Sequence, residues 1–342
     1  MVLGGPPTSA PVPVADFNVA AVAQRILASA QSTAKDGGHE VVFRALGTTC
    51  RIVVGGPAGA AHSFFGAALN WVAGFEAKYS RFLPDSLISR INQAAGGDWL
   101  ALEPEAERLF GLCHELNFLT RGIFDPTALP VIRLWNWKEP RATLPSDAEV
   151  AAARELVGWR LVQRAPGKIR LPRAGMSLDL GGMGKEFAVD QVVLLGQRSG
   201  FKGILVDFGA DVRVAGPPPD QRPAWHIGLE NPEKPGTCWG GVAVRDAAVA
   251  TSGDYIRKFE LNGQRYGHIV DPRTGRPVAT GVRAVSVLAP SCTQAGMLST
   301  AAFVLGARDG LKLIETTAGA AGAIHAGNQI LQSHRFHEHL TS

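Results

Sequence analysis

The stretch Ser177-Leu178-Asp179-Leu180-Gly181-Gly182-Met183-Gly184-Lys185-Glu186-Phe187-Ala188-Val189-Asp190 holds residue types that handle anions. A carboxylate precedes a glycine pair, a lysine follows, and Phe187, Val189, Val192, Val193 and Leu195 then take up helical spacing. The pattern predicts a strand, a glycine turn and a helix N-terminus. Backbone N–H groups of such a turn can approach a bound anion, and the helix end adds partial positive charge. A phosphate-bearing ligand suits that chemistry. The spacing is neither the Walker phosphate loop nor the dinucleotide Gly-x-Gly-x-x-Gly fingerprint, and a ligand-free tight turn is the competing reading.

Other candidates lie in loops. Residues 79–84 form a polar loop holding two aromatics, Tyr79 and Phe82, before a helix that Asp85 or Ser86 would cap. Gly122-Ile123-Phe124-Asp125-Pro126-Thr127 is a turn, where Asp125 alone is ordinary turn chemistry. His268-Ile269-Val270 precedes a second turn, Asp271-Pro272-Arg273-Thr274-Gly275.

The elements that must position these residues follow from periodicity. Helices are predicted over residues 17–34, through Ala68, Val72, Phe75 and Tyr79, and over 103–119, 146–157, 292–305 and 308–316. Strands are predicted over 41–54, 161–171 (a hairpin at Pro166-Gly167), 203–214 (joined at Gly209), 225–229, 241–250, 282–288 and 320–331. Asn262-Gly263 marks a two-residue hairpin of the primed type. Hairpins interrupted by helices argue for an α+β fold with largely antiparallel sheets and packed helices. Residues 1–40 read as a flexible arm with an amphipathic helix, 41–333 as the main domain and 334–342 as a tail.

Composition excludes several classes. A chain of 342 residues, 46% hydrophobic and 19% charged, is globular rather than disordered. Its net charge is +4, but Lys and Arg are scattered, so no nucleic-acid partner is expected. Cys50, Cys113, Cys238 and Cys292 form no C-x-x-C pair and read as reduced thiols. No run approaches the roughly 20 apolar residues of a membrane span. No basic region followed by an apolar core opens the sequence, so a cytoplasmic location is expected.

Taken in order, Leu46-Gly47-Thr48, residues 80–92, 122–127 and 179–190, Thr251-Ser252-Gly253-Asp254-Tyr255, residues 268–275 and Leu298-Ser299-Thr300-Ala301 resemble the ApbE-type FAD:protein FMN transferases. The resemblance covers residues 43–332 and leaves out the N-terminal arm. It implies a T-fold-like α+β protein that binds FAD and Mg²⁺, moves FMN onto a threonine or serine of a target protein, and releases AMP. By position it implies flavin contacts from Leu46, Phe82, Ile123, Phe124, Asp125, Asp179, Lys185 and Val270. His268 falls near the reacting end, as proton acceptor or as a structural histidine. Mg²⁺ ligands carried over are the Gly182 carbonyl and Thr300. The family is often exported, which departs from the location expected above.

This sequence departs from the family at two linked places. The metal-binding aspartate of the family's Ala-Asp-Ala-Leu-Ser-Thr-like motif is Gly296, and Glu186 stands where a glycine usually follows the lysine. Losing a charged oxygen ligand weakens Mg²⁺ binding, so Gly296→Asp is expected to strengthen it. Glu186 either supplies a carboxylate from a neighbouring position or repels the pyrophosphate. The sequence thus leaves a flavin transferase, a non-catalytic FAD-binding relative and an FAD pyrophosphate hydrolase to be separated.

Overall fold

The computed structural model describes residues 17–35, 37–139 and 142–341. In chain order they form α1 (Val19–Ser29), β1 (Gln31–Lys35), β2 (Gly38–Ala45), β3 (Thr48–Gly55), α2 (Ala58–Tyr79), α3 (Leu87–Gln93), β4 (Leu100–Ala101), α4 (Pro104–Leu119), α5 (Leu129–Leu134) and α6 (Asp147–Arg154). Next come β5 (Gln163–Ala165), β6 (Lys168–Arg170), α7 (Gly184–Arg198), β7 (Ile204–Phe208), β8 (Asp211–Ala215), β9 (Trp225–Glu230), β10 (Cys238–Val244) and β11 (Ala248–Gly253). The last are β12 (Lys258–Leu261), β13 (Gln264–Gly267), β14 (Val270–Asp271), β15 (Arg276–Pro277), β16 (Val282–Ala289), α8 (Cys292–Leu305), α9 (Ala307–Thr316), β17 (Ala321–Ala326) and β18 (Gln329–Gln332). Where the sequence drew one domain, the contacts group into two units. Of the described residues, the larger holds those within 19–77, 181–269 and 277–341, and the smaller holds those within 78–180 and 270–276 together with Phe17 and Asn18.

The larger unit is built on a nine-stranded sheet in the order β1-β2-β3-β7-β8-β11-β16-β17-β18. Every neighbouring pair in it is antiparallel. Central strands are buried almost throughout, as in β16, because both faces are covered. Helices α7 and α8 pack on one face. On the other, Val53, Leu205, Val212, Val214, Val249 and Leu288 meet Trp225, Leu229 and Val242 of the β9–β10 hairpin and Phe336 of the C-terminal segment. Two-residue turns with positive φ close the β2–β3, β7–β8 and β12–β13 hairpins, at Leu46-Gly47, Gly209-Ala210 and Asn262-Gly263. Helix α8 is buried on nearly all sides, which is why it is apolar without a polar stripe.

The smaller unit packs α3, α4, α5 and α6 with the three-stranded sheet β4-β6-β5. Ser86 caps α3 by accepting from Ser89 N–H (3.1 Å), and Ser146 with Glu149 forms a capping box at α6.

Several sequence expectations change. The helix expected over 17–34 stops at Ser29, and 31–35 is an edge strand whose side chains are all exposed, so it carries no alternation to read. The end of the expected flexible arm, residues 31–35, therefore extends the main sheet, while residues 1–16 lie outside the described residues. The strand expected over 241–250 is two strands, because the chain leaves the β9 ladder after Val244 and joins β8 from Ala248. The supposed tail is anchored, with Phe336 fully buried and Leu340 bridged to Val242. Helix α5, begun by Pro130 in its first turn, went unread. No described helix is long and apolar enough to cross a membrane.

Candidate functional site

In the larger unit the start of α7 gathers charge. Its N-cap is Met183, so no side chain caps the helix. Lys185 forms an ion pair with Asp211, the first residue of β8, and its Nζ lies 3.8 Å from Glu186 Oε1. Asp211 and Glu186 are buried, at 6% and 8% exposure.

One turn further on, Asp190 fixes α8 against α7. Its carboxylate accepts from Cys292 N–H (2.8 Å), Thr293 N–H (2.9 Å) and Thr293 Oγ1 (2.7 Å), and from Arg213 Nη1 (2.8 Å). A negative charge there offsets the partial positive charge of the α8 N-terminus and satisfies its open donors. This clamp sets the register that lays Gly296 under Glu186. A Cβ at position 296 would stand 2.6 Å from Glu186 Cγ, 3.2 Å from Cδ and 3.3 Å from Oε1. Glu186 therefore fills the volume that a side chain at 296 would need. Its Oε2 is buried and has no hydrogen-bond partner among the described residues. One turn along α8, Thr300 Oγ1 lies 2.9 Å from Ser252 Oγ, which is also 2.8 Å from Ser299 Oγ. Ser299 in turn donates to the Gly296 carbonyl (3.0 Å).

Elsewhere in this unit, His268 follows β13, its Nδ1 3.2 Å from the Arg257 carbonyl. A carbonyl only accepts, so Nδ1 carries the proton and Nε2 keeps its lone pair. Burial, then the nearby Arg257 charge, lowers its pKa from 6.5 to about 4, against the hydrogen bond to the Arg257 carbonyl. The imidazole is neutral at physiological pH. Leu46 sits at φ 52, a left-handed conformation that costs a non-glycine residue about 1–3 kcal/mol. Its N–H donates to Glu76 Oε2 (3.0 Å), and Arg25 of α1 holds the other oxygen at 2.8 Å. Residues 19–29, outside the motif set, thus buttress this turn.

In the smaller unit, Arg81 donates through Nε to Asp179 (2.9 Å), and its guanidinium stacks 4.1 Å from the centre of the Phe82 ring. Phe82 is 72% exposed. The stretch before the glycine turn joins no sheet; Asn92 brackets Leu178, accepting from its N–H (2.6 Å) and donating to its carbonyl (3.0 Å). Asp125 points its carboxylate into its own loop. Oδ1 accepts from Thr127 N–H (2.8 Å) and Oγ1 (2.5 Å), and Oδ2 from Trp159 N–H (3.0 Å). Burial raises its pKa, against those hydrogen bonds.

A family model described as the ApbE family matches residues 46–324. The FAD:protein FMN transferase of Treponema pallidum is 34% identical over 287 residues, 76% of this chain and 77% of that protein. The chain belongs to the ApbE family. The FAD:protein FMN transferase of Vibrio cholerae is 33% identical over 239 residues, 69% of this chain and 71% of its own. Among solved structures, the ApbE protein of Thermotoga maritima superposes with a TM-score of 0.81 at 30% identity, covering 89% of this chain and all of that one. The flavin transferase ApbE of Vibrio cholerae gives 0.78 at 25% identity, covering 91% and 100%.

The structure gives each of the expected flavin contacts protein surroundings of its own. Ile123 and Phe124 are buried in the smaller unit, at 6% and 9% exposure, and Asp125 serves Thr127 and Trp159. Val270 is buried as well, at 8%. Lys185 and Asp179 have carboxylate and guanidinium partners of their own. Phe82 remains an open aromatic face. The structure adds Asp211 beside Lys185 and Ser252 beside Thr300; the Gly209-Ala210 turn just before Asp211 is the available sequence signal.

Among the described residues no three His, Cys, Asp or Glu are grouped to hold a metal. Mg²⁺ does not require such a group, since it keeps waters and borrows phosphate oxygens beside one or two carboxylates. A buried carboxylate oxygen without a partner, in the volume of the residue 296 side chain and with Thr300 one turn on, fits a small hard cation.

Proposed function

We propose that this chain is an FAD:protein FMN transferase. A threonine or serine hydroxyl of a target protein attacks the FMN phosphorus of FAD, a new O–P bond forms, the bridging pyrophosphate O–P bond breaks, and AMP leaves. What supports the reading most is the buried cluster at the start of α7, where Lys185, Glu186 and Asp211 meet beside an uncapped helix N-terminus. Such a cluster suits a ligand carrying phosphate oxygens and a counter-cation.

Each of this chain's own groups has a task in that reaction. His268, neutral with Nε2 unprotonated, takes the proton of the acceptor hydroxyl. The backbone N–H groups of the first turn of α7 face anionic oxygens. Lys185 adds positive charge while Asp211 fixes its ammonium. Ser252 orients the Thr300 hydroxyl, which with the Gly182 carbonyl would hold Mg²⁺. When bound, Mg²⁺ supplies charge that neutralises the phosphate oxygens. Phe82 offers an exposed ring for stacking on a planar heterocycle.

The competing reading, a relative that binds FAD without chemistry, is favoured by Gly296 alone. Chromatography and mass spectrometry of FAD, Mg²⁺ and a threonine-bearing target peptide, with EDTA as control, decide between them. Metal-dependent AMP with FMN added to the peptide is expected. AMP without modified peptide means hydrolysis, and intact FAD means binding only.

A further inference from the structure

We infer that Glu186 is the metal-binding carboxylate of this chain, moved from α8 to α7 in exchange for the residue lost at Gly296. The inference rests on the Mg²⁺-dependent reading above and deepens it. Four observations carry it.

The two departures from the family pattern are complementary. The resemblance stated above implies a glycine at 186 and a metal-binding aspartate at 296, and this chain has Glu186 and Gly296 instead. They also meet in space, since a Cβ at 296 would stand 2.6 Å from Glu186 Cγ and 3.2 Å from its Cδ. The Glu186 carboxyl group therefore lies in the space that a short acid at 296 would extend into. A glutamate at 186 and an aspartate at 296 cannot both take that space, so glycine at 296 is the condition for Glu186 to lie there.

The carboxylate is also held in an unsatisfied state. At 8% exposure it has one oxygen 3.8 Å from Lys185 Nζ and the other without a partner among the described residues. A buried charge left so is costly unless something pairs with it. Lys185 cannot be that partner in full, because its ammonium is engaged by Asp211. Finally, Thr300 presents its hydroxyl one helical turn from Gly296, oriented by Ser252. One carboxylate, one hydroxyl and waters form an acceptable set for a hard divalent cation that also binds phosphate. It follows that Gly296→Asp alone displaces Glu186 and exchanges one carboxylate for another, where the sequence had suggested a gain.

Mn²⁺ serves as the probe, titrated by electron paramagnetic resonance into the full chain with FAD present. The proteins are wild type, Glu186→Gln, and the exchange variant Glu186→Gly with Gly296→Asp. Glu186→Gln keeps the side-chain volume and is expected to weaken Mn²⁺ binding at least about tenfold. The exchange variant is expected to return to within about threefold of wild type. Mn²⁺ binding by Glu186→Gln equal to wild type, or no Mn²⁺ binding by wild type, overturns the inference. If circular dichroism shows Glu186→Gln unfolded, the exchange variant decides alone: wild-type-like binding supports the inference and loss of binding sinks it. Mn²⁺ affinity that follows Glu186 in a protein that leaves FAD intact sinks the transferase reading and keeps this one. FMN transfer by wild type with Mn²⁺ affinity indifferent to Glu186 does the reverse.

Discussion

The loop around Asp125 in the smaller unit and the α7–α8 contact in the larger one each enclose a carboxylate beside a turn, and the two are finished differently. Asp125 is saturated: three donors from Thr127 and Trp159 occupy both of its oxygens. Glu186 is buried at least as well, yet one oxygen has no partner and the other has only a distant ammonium. Burial alone therefore does not mark a functional acid. A carboxylate whose hydrogen bonds are complete holds the fold, and one kept incomplete in a low-dielectric setting is costly until a ligand completes it.

The largest test of this contrast is chemical. His268→Ala should lower FMN transfer by about 10²–10⁴ with FAD affinity little changed, measured as kcat against KM. Its lowered pKa adds a pH signature. The folded state disfavours the protonated ring, so the stability His268 contributes is complete above pH 6.5 and is lost as pH falls toward about 4. A wild-type melting series over that range, steeper than that of His268→Ala, checks it.

Stability separates the two carboxylates next. Asp125→Ala strands the Trp159 and Thr127 donors and should cost roughly 2–4 kcal/mol in chemical denaturation while leaving Mn²⁺ affinity alone. Glu186→Gln, without metal, should shift stability by less than about 1 kcal/mol, because the group replaced is poorly satisfied. Equal losses for the two would break the comparison. The smallest effect concerns the β7–β8 turn that leads into Asp211: Ala210 sits at φ 68, so Ala210→Gly should raise stability by about 0.5 kcal/mol in thermal melts.

Much of the scaffold was legible in the sequence. The hairpin at Asn262-Gly263 needs two residues that tolerate positive φ, and α8 opens at Ser291 with a side-chain cap, so both could be placed locally. Strand β1 could not, because an exposed edge strand has no apolar alternation and is defined by its pairing with β2. The stretch before Gly181 reads as a strand but has no neighbouring strand, and Asn92 replaces the ladder.

At the site the division is similar. Spacing and residue type determined the glycine turn, the lysine after it, and the paired departures at 186 and 296, since these are properties of order along the chain. That Glu186 lies over Gly296 was decided only by tertiary structure, through the Asp190 clamp that joins helices more than a hundred residues apart in sequence. The same holds for Asp125, Ile123 and Phe124: their motif marks a turn, but which way each side chain points depends on what packs behind it. Contact between distant segments is set by burial and hydrogen-bond satisfaction in three dimensions, and local pattern carries no record of either.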